Sequence, residues 1–412
     1  MRLVADRLGH RGDAVAYVPG TEGPSGPVFI PRVLPGEVVE GEVTGDRMAA
    51  PSIITPSADR VKAPCVHYRT CGGCSLQHAS DDFVARWKRE VVVTALAGQG
   101  LQAPVGEVQT SPARTRRRAT LHGRRTKNGV LLGFHARGSD TLVAVPHCLL
   151  LTPSLKAAFP ALEALVKLGG SRSTELALTV TDSLGGPDVA VKGGKPLEPL
   201  LHGDLAALAE GFGLARLTWD DEVVALRTPP AQNFGPARVS SPSGAFLQAT
   251  AEGEAALVAF VRASVRGAKK VADLFAGSGT FALPLAQEAE VHAVEGDAAM
   301  TAALDRGWRD AQGLKRVTTE ARDLFRRPLE ADELKGFDAV VIDPPRAGAE
   351  AQVKALGRSN VPLVAMVSCN PVTFARDARI LITAGYKLDA VAVVDQFRWS
   401  THVELAAKFT RT

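Results

Sequence analysis

The run Val271-Ala-Asp273-Leu-Phe275-Ala-Gly277-Ser-Gly279-Thr280-Phe281 constrains this chain more than any other segment. A short apolar strand ends in a glycine turn that opens a helix, residues 281–287. Glycines accept backbone conformations closed to other residues and let amide groups approach a ligand. The pattern is neither G-x-G-x-x-G nor a phosphate-binding P-loop. The same grammar repeats downstream: apolar runs at 291–294, 317–321, 337–342 and 361–367 end in Glu295, Arg322-Asp323, Asp343-Pro-Pro-Arg346-Ala-Gly348 and Ser368-Cys369-Asn370-Pro371. Strands alternating with helical stretches over 240–412 predict an α/β domain with a doubly wound sheet. Its ligands belong at the carboxyl ends of the strands.

The residue types at those ends suggest a chemistry. Glu295 stands about twenty residues beyond the glycine turn, where a carboxylate accepts both hydroxyls of a ribose. Asp323 stands where an adenine amino group is held. Without a phosphate-binding loop, such a pocket suits S-adenosylmethionine better than a dinucleotide. Cys369 offers a thiol, and the tail Asp395-Gln-Phe397-Arg-Trp-Ser-Thr-His402-Val-Glu404 offers a carboxylate base. Taken alone, a cysteine after an apolar strand is also an ordinary small buried hydrophobe.

The other four of the five cysteines fall as Cys65, Cys71, Cys74 and Cys148. With no signal peptide and no uncharged apolar run long enough for a membrane span, the expected compartment is the reducing cytoplasm, where disulfides are rare. Four thiolates in a C-x5-C-x2-C arrangement with a remote fourth member close a tetrahedral zinc site or hold a four-iron cluster; the unequal spacing leans toward iron and sulfur.

Length divides the rest. A chain of 412 residues exceeds one ordinary core. Residues 1–55 carry short β-type runs split by Gly and Pro turns, suited to a small barrel of the oligonucleotide-binding kind or to a docking module that touches no nucleic acid. Residues 51–64 read as a linker. A helix is expected over 81–97, with Phe83, Val84, Trp87, Val91, Val92 and Leu96 near one face. A central domain over 60–235 returns to the cysteines at Cys148. The net charge is only +4, yet residues 114–127 hold Arg114, Arg116, Arg117, Arg118, Arg124, Arg125 and Lys127 and no acid. This is a polyanion-binding surface or a solvated face, with Arg116, Arg117 and Arg118 as candidate phosphate ligands. A monomer is the default.

The SCNP motif at 368–371, DLFAGSGT at 273–280, DPPRAG at 343–348 and HVE at 402–404 together resemble the RNA uracil-5-methyltransferases. The four cysteines resemble that family's [4Fe-4S] ligands. Residues 1–55, with Phe29-Ile-Pro-Arg-Val-Leu34-Pro-Gly-Glu37, resemble its TRAM domain. The resemblance implies an N-terminal OB-like β-barrel, a central α+β domain carrying the cluster and a C-terminal Rossmann-like class I methyltransferase domain. It implies Cys369 as the nucleophile that adds to a uracil and Glu404 as the base that removes the carbon-5 proton. Gln248, Phe275, Thr280, Glu295 and Asp323 would line S-adenosylmethionine, with Asp343 between cofactor and base. A TRAM domain joined to a cluster is similar to the branch acting on 23S ribosomal RNA; the transfer RNA branch usually lacks both. Thr280 and Thr250 stand where relatives commonly carry asparagine, and Arg398 where proline is usual. Rival readings are an amino-group methyltransferase, which usually has an aromatic residue where Arg346 follows the prolines, and a non-catalytic RNA-binding factor.

Overall fold

The computed structural model describes residues 1–18 and 26–411. Five strands open the chain: β1 (Arg2–Leu8), β2 (Ala14–Ala16), β3 (Val28–Ile30), β4 (Val38–Glu40) and β5 (Ser52–Thr55). They form one antiparallel sheet in the order β3-β2-β1-β4-β5. In β1, Leu3, Ala5 and Leu8 face inward, and a bulge between Ala5 and Arg7 lets two consecutive residues point out. The Gly- and Pro-containing turn at 19–25 lies outside the described residues. Residues 51–64, read as a linker, instead contain β5 and are fastened to the sheet: buried Glu37 accepts from the Leu34 and Ser57 amides and pairs with Arg60. A buried carboxylate needs such partners, so the segment is fixed.

Next come α1 (Asp81–Ala97) and β6 (Val105–Thr110). Ser80 caps α1 by accepting from the Phe83 amide at 3.2 Å, with Asp81 and Asp82 in the first turn. A seven-stranded sheet follows, ordered β13-β12-β11-β10-β7-β8-β9. Its members are β7 (Arg118–Thr126), β8 (Gly129–His135), β9 (Leu142–Ala144), β10 (Leu176–Thr181), β11 (Asp188–Lys192), β12 (Arg216–Trp219) and β13 (Glu222–Leu226). Helices α2 (Pro153–Ala157), α3 (Phe159–Gly169) and α4 (Pro199–Gly211) accompany it; Leu121, Leu178 and Val189 from the sheet share a core with Leu162, Leu165 and Leu205. The hairpin β14 (Ala231–Phe234) and β15 (Ala237–Ser240) leads onward.

The last segment alternates as the sequence predicts: α5 (Ala251–Ser264), β16 (Lys270–Leu274), α6 (Ala282–Leu285), β17 (Glu290–Glu295), α7 (Ala298–Asp310), β18 (Val317–Ala321), β19 (Ala339–Ile342), α8 (Glu350–Gly357), β20 (Leu363–Ser368), α9 (Pro371–Thr383), β21 (Tyr386–Asp395) and β22 (Glu404–Arg411). The strand order is β18-β17-β16-β19-β20-β22-β21-β6. The first five run parallel, and β22 runs antiparallel to both neighbours. The order reverses beside β16, so the crevice opens at the carboxyl ends of β16, β17, β19 and β20.

One boundary differs from expectation. β6 pairs in parallel with β21, and Val92, Leu96, Leu101 and Val105 share a core with Val391 and Phe409. Residues 81–110, placed in the central domain by sequence, thus pack with the C-terminal sheet, because the apolar face of α1 finds its largest complement there. Among the described residues no helix is long and apolar enough to cross a membrane.

Candidate active site

Cys369 sits in the turn between β20 and α9. Asn370 caps α9 by accepting from the Val372 amide, and donates through Nδ2 to the Arg346 carbonyl at 3.0 Å. Thr373 Oγ1 donates to the same carbonyl, and Asp377 accepts from the Ala349 amide at 2.7 Å. The Asp343–Gly348 loop is therefore clamped onto α9, with Arg346 beside the thiol. Burial pushes the Cys369 thiol up to about 11, as do Glu404 and Asp343, while Arg346 pulls it down.

Glu404, 3 % exposed, begins β22 and lies next to Cys369's own strand. Burial pushes its carboxyl up to about 7, against a hydrogen bond from Gln396 and the charges of Arg346 and Lys88. Gln396 is a junction: its Nε2 donates to Glu404 Oε2 at 2.9 Å and to Gln248 Oε1, and its Oε1 accepts from the Ala249 amide at 2.7 Å. Gln248 is thereby linked to Glu404. Asp343 is raised well above the carboxylate range by enclosure, by Glu404 and by Asp273.

The glycine turn supplies the other wall. Phe275 holds a left-handed conformation (φ 62°) and its ring lies 5.4 Å from that of Phe325. Gly277, also left-handed, has open space where a Cβ would project. Glu295 accepts from the Gly277 and Asp297 amides, both at 2.9 Å, which aims its remaining lone pairs outward from the end of β17. Thr280 is half-buried in the same turn. Asp323 is exposed after β18 and accepts from the Phe325 and Arg326 amides. Beneath them Asp273 is fully buried, and burial, with Glu295, raises it to about 8 against a hydrogen bond from the Ala282 backbone. Enclosed carboxyls crowded beside a thiol favour a cationic guest, because only an added positive charge lets them ionise together.

A cleft of about 1210 Å³ leads down to Cys369 and His402. Arg7, His10 and Arg11 of the N-terminal sheet, Phe83, Arg86 and Trp87 of α1, and Arg346 line it together with Asp6, Asp59 and Glu90. Asp6 pairs with Arg7 and Asp59 with Arg86, which leaves Arg11, Arg346 and the rings of Phe83 and Trp87 as the groups that suit a single nucleic-acid strand.

Cys65, Cys71, Cys74 and Cys148 line one small pocket with His67, Phe134 and Leu150. Burial and the three neighbouring sulfurs push Cys74 up to about 12. The Gly73 amide donates to Cys71 Sγ and the Leu150 amide to Cys148 Sγ, and His67 Nε2 is buried without a partner. Four convergent thiols with amide donors in an apolar pocket fit a thiolate-bound metal group.

The basic segment behaves differently from expectation. Arg117 is paired with Glu254 and donates to the Gln248 carbonyl, so its charge is neutralised inside the protein rather than offered to a phosphate. Arg118 donates to the Gly244 carbonyl, and Arg116 lies over the Phe397 ring at 5.4 Å; burial lowers both. The long arginine stem lets a basic run serve packing as readily as solvent. Arg398 pairs with Asp81 and donates to the Ser111 carbonyl, which turns it away from Glu404.

Sequence reasoning passed over Lys88. It is fully buried on α1, donates to Asp395 at 2.6 Å and to the Phe397 carbonyl at 3.2 Å, and so grips the connection between β21 and β22. The available signal was a lysine between Val84 and Val92 on an apolar helical stripe.

Comparison with known proteins agrees with this geometry. A family model described as tRNA (uracil-5-)-methyltransferase matches residues 238–411. An uncharacterized RNA methyltransferase of Mesorhizobium japonicum is 48% identical, over 98% of this chain and 97% of the relative. The 23S rRNA (uracil(1939)-C(5))-methyltransferase of Halomonas elongata is 34% identical, over 98% and 88% respectively. Among solved structures, the tRNA (uracil-54, C5)-methyltransferase of Pyrococcus abyssi in complex with S-adenosyl-L-homocysteine superposes with a TM-score of 0.74 at 22% identity. The match covers 100% of both chains and is a likeness of fold.

Proposed function

Because the chain belongs to the RNA uracil-5-methyltransferase family, we propose that it methylates carbon 5 of a uridine in 23S ribosomal RNA through a covalent cysteine adduct. Its C-terminal sheet has the class I methyltransferase fold. The observation that carries the proposal is the convergence of Cys369, Glu404 and Asp343 at one crevice, where Glu404 and Asp343 both raise the Cys369 thiol and Glu404 also raises Asp343.

S-adenosylmethionine supplies the methyl group as a sulfonium electrophile. The pocket suits it: Glu295 for the ribose hydroxyls, Asp323 and the Phe275 ring for the adenine, and buried Asp273 for a cationic group. Cys369, as thiolate, adds to carbon 6 of the uracil, and the electron pair displaced toward carbon 5 makes that carbon nucleophilic. After carbon 5 is methylated, Glu404 takes its proton, the double bond re-forms and the Cys369 sulfur leaves carbon 6. Gln396 orients Glu404 throughout. A base does this only outside its stack, so the target strand lies in the cleft above Cys369 with its uridine turned down to the thiol.

The choice of 23S RNA is supported by the Halomonas relative's name and by the four cysteines and N-terminal sheet, which resemble a TRAM barrel and iron–sulfur site. Purified without oxygen, the protein should carry iron and sulfide and show broad visible absorption; stoichiometric zinc without iron would replace the cluster reading. The activity test is incubation with methyl-labelled S-adenosylmethionine and unmodified 23S or transfer RNA, with Cys369→Ala in parallel. Label in 5-methyluridine of 23S RNA, absent in the variant, is expected. Label in transfer RNA alone would transfer the same chemistry to that substrate, and no label with a cofactor-bound preparation would overturn the proposal.

A further inference from the structure

The face of the central sheet opposite its helical core carries a cluster that neither methyl transfer nor the four cysteines use. His122 lies on β7, His135 ends β8 and Glu175 stands immediately before β10. Their ligand atoms all lie within 4.8 Å of one another, and all three residues are half-buried. His135 Nε2 is 2.9 Å from Glu175 Oε2, and the two imidazole centroids are 4.2 Å apart.

Local structure explains the approach. On β7 the alternation buries Leu121 and Gly123 and turns His122 outward. Its cross-strand partners are Gly133 and Ala177, which leave the space beside the ring open. β8 follows β7 only to Gly133 and continues along β9 through His135. A Cβ at Gly133 would come within 1.8 Å of the Val143 carbonyl oxygen, so only glycine permits that departure. The His135 carbonyl then accepts from the Gly72 amide at 2.9 Å, which fixes its backbone.

An ordinary acid–imidazole pair accounts for His135 and Glu175 but not for His122, whose ring nitrogens find no hydrogen-bond partner among the described residues. We propose that His122, His135 and Glu175 form a binding site for a divalent transition-metal ion of the zinc class, with one coordination position left to solvent. Two imidazoles and a carboxylate are a ligand set that zinc takes, and three protein ligands leave the fourth place open. Arg124 lies 4.0 Å from Glu175 Oε1, which leaves Oε2 as the metal-facing oxygen.

The site does not depend on the proposed methyl transfer, and its test reads metal binding alone. Zinc is titrated calorimetrically into the full chain, and cobalt(II) spectra report the ligands. Wild type, His122→Ala, Glu175→Gln and Cys71→Ser are compared. One zinc equivalent is expected in Cys71→Ser, and one in wild type beyond any held by the four cysteines, with affinity at this site falling at least about tenfold in each of the other two. Cobalt at this site should give visible d–d bands that survive in Cys71→Ser, where thiolate bands are lost. Binding unchanged by His122→Ala, or cobalt bands that vanish entirely in Cys71→Ser, would overturn the proposal. His122 is half-exposed, and a melting temperature for each variant separates lost ligation from lost fold.

Discussion

Glu404 carries the most consequential ionisation in the molecule. With its carboxyl raised to about 7, it is a mixture of acid and base at neutral pH, and the elimination step needs the base. Release of methylated RNA should therefore fall as pH drops through about 7. Glu404→Gln should stop proton removal while Cys369 still adds, so a methylated RNA–protein adduct should accumulate on denaturing gels; its absence would remove Glu404 from that role. The same shift has a stability sign. A carboxyl held above its unfolded value favours the folded state while protonated, and that advantage is lost as pH rises from the ordinary range near 4.5 to about 7. Glu404→Gln should thus be more stable than wild type at pH 8, by roughly 3 kcal/mol at one pKa unit per 1.36 kcal/mol, with a shrinking gap toward pH 5. Denaturant titrations at the two pH values check this. Gln396→Leu removes the donor that favours the Glu404 anion, and the midpoint of the pH–rate profile should move to higher pH. Cys369 and Glu404 were legible because each closes a recognisable motif. Gln396 was not, since its meaning comes from Gln248, which lies 148 residues away in the chain.

At the scale of elements, α1 joins the parts of the proposed active site. Its Lys88 meets Asp395 in a fully buried pair, and Asp395 also accepts from the Phe397 amide, so the end of β21 is set by a helix more than 300 residues earlier. Breaking such a pair leaves an uncompensated buried charge. Lys88→Met should cost about 3–5 kcal/mol of stability, and Lys88→Met with Asp395→Asn should recover part of that without restoring the elimination rate. Chemical denaturation with single-turnover kinetics separates the two effects. The parallel strands of the large sheet were readable because each is a short apolar run closed by a polar ending, and α1 because its cap and apolar spacing are local. The pairing of β6 with β21 was not readable. A parallel edge strand is chosen by tertiary fit between Val105 and Val391, and nothing in six residues announces its partner. The same limit holds in the arginine run, where composition records the charge of Arg117 but not Glu254, folded against it.

Across the whole molecule, two distant segments converge on residues 399–402, shortly before Glu404. Trp399 is held in the left-handed region at φ 60°, a conformation costly for a side-chain-bearing residue, and its carbonyl accepts from the Ser75 and Leu76 amides at 2.8 and 2.9 Å. Those amides follow Cys74 directly. From the N-terminal sheet, left-handed Gly12 packs so closely that a Cβ there would lie 2.8 Å from Thr401 Cγ2 and 3.3 Å from Ser75 Cβ. The cysteine loop is thus a brace for the loop that leads into Glu404, although the proposed methyl transfer needs no electron from it. Cys71→Ser should release that brace. Amide hydrogen exchange over 395–404 should accelerate, while β16, β19 and β20, buried in the sheet's own core, keep their protection. Turnover should fall more than cofactor affinity, since Glu295 and the glycine turn sit on elements the brace does not touch. Unchanged exchange over 395–404 together with full turnover would show that the cysteines serve something other than the loop they support.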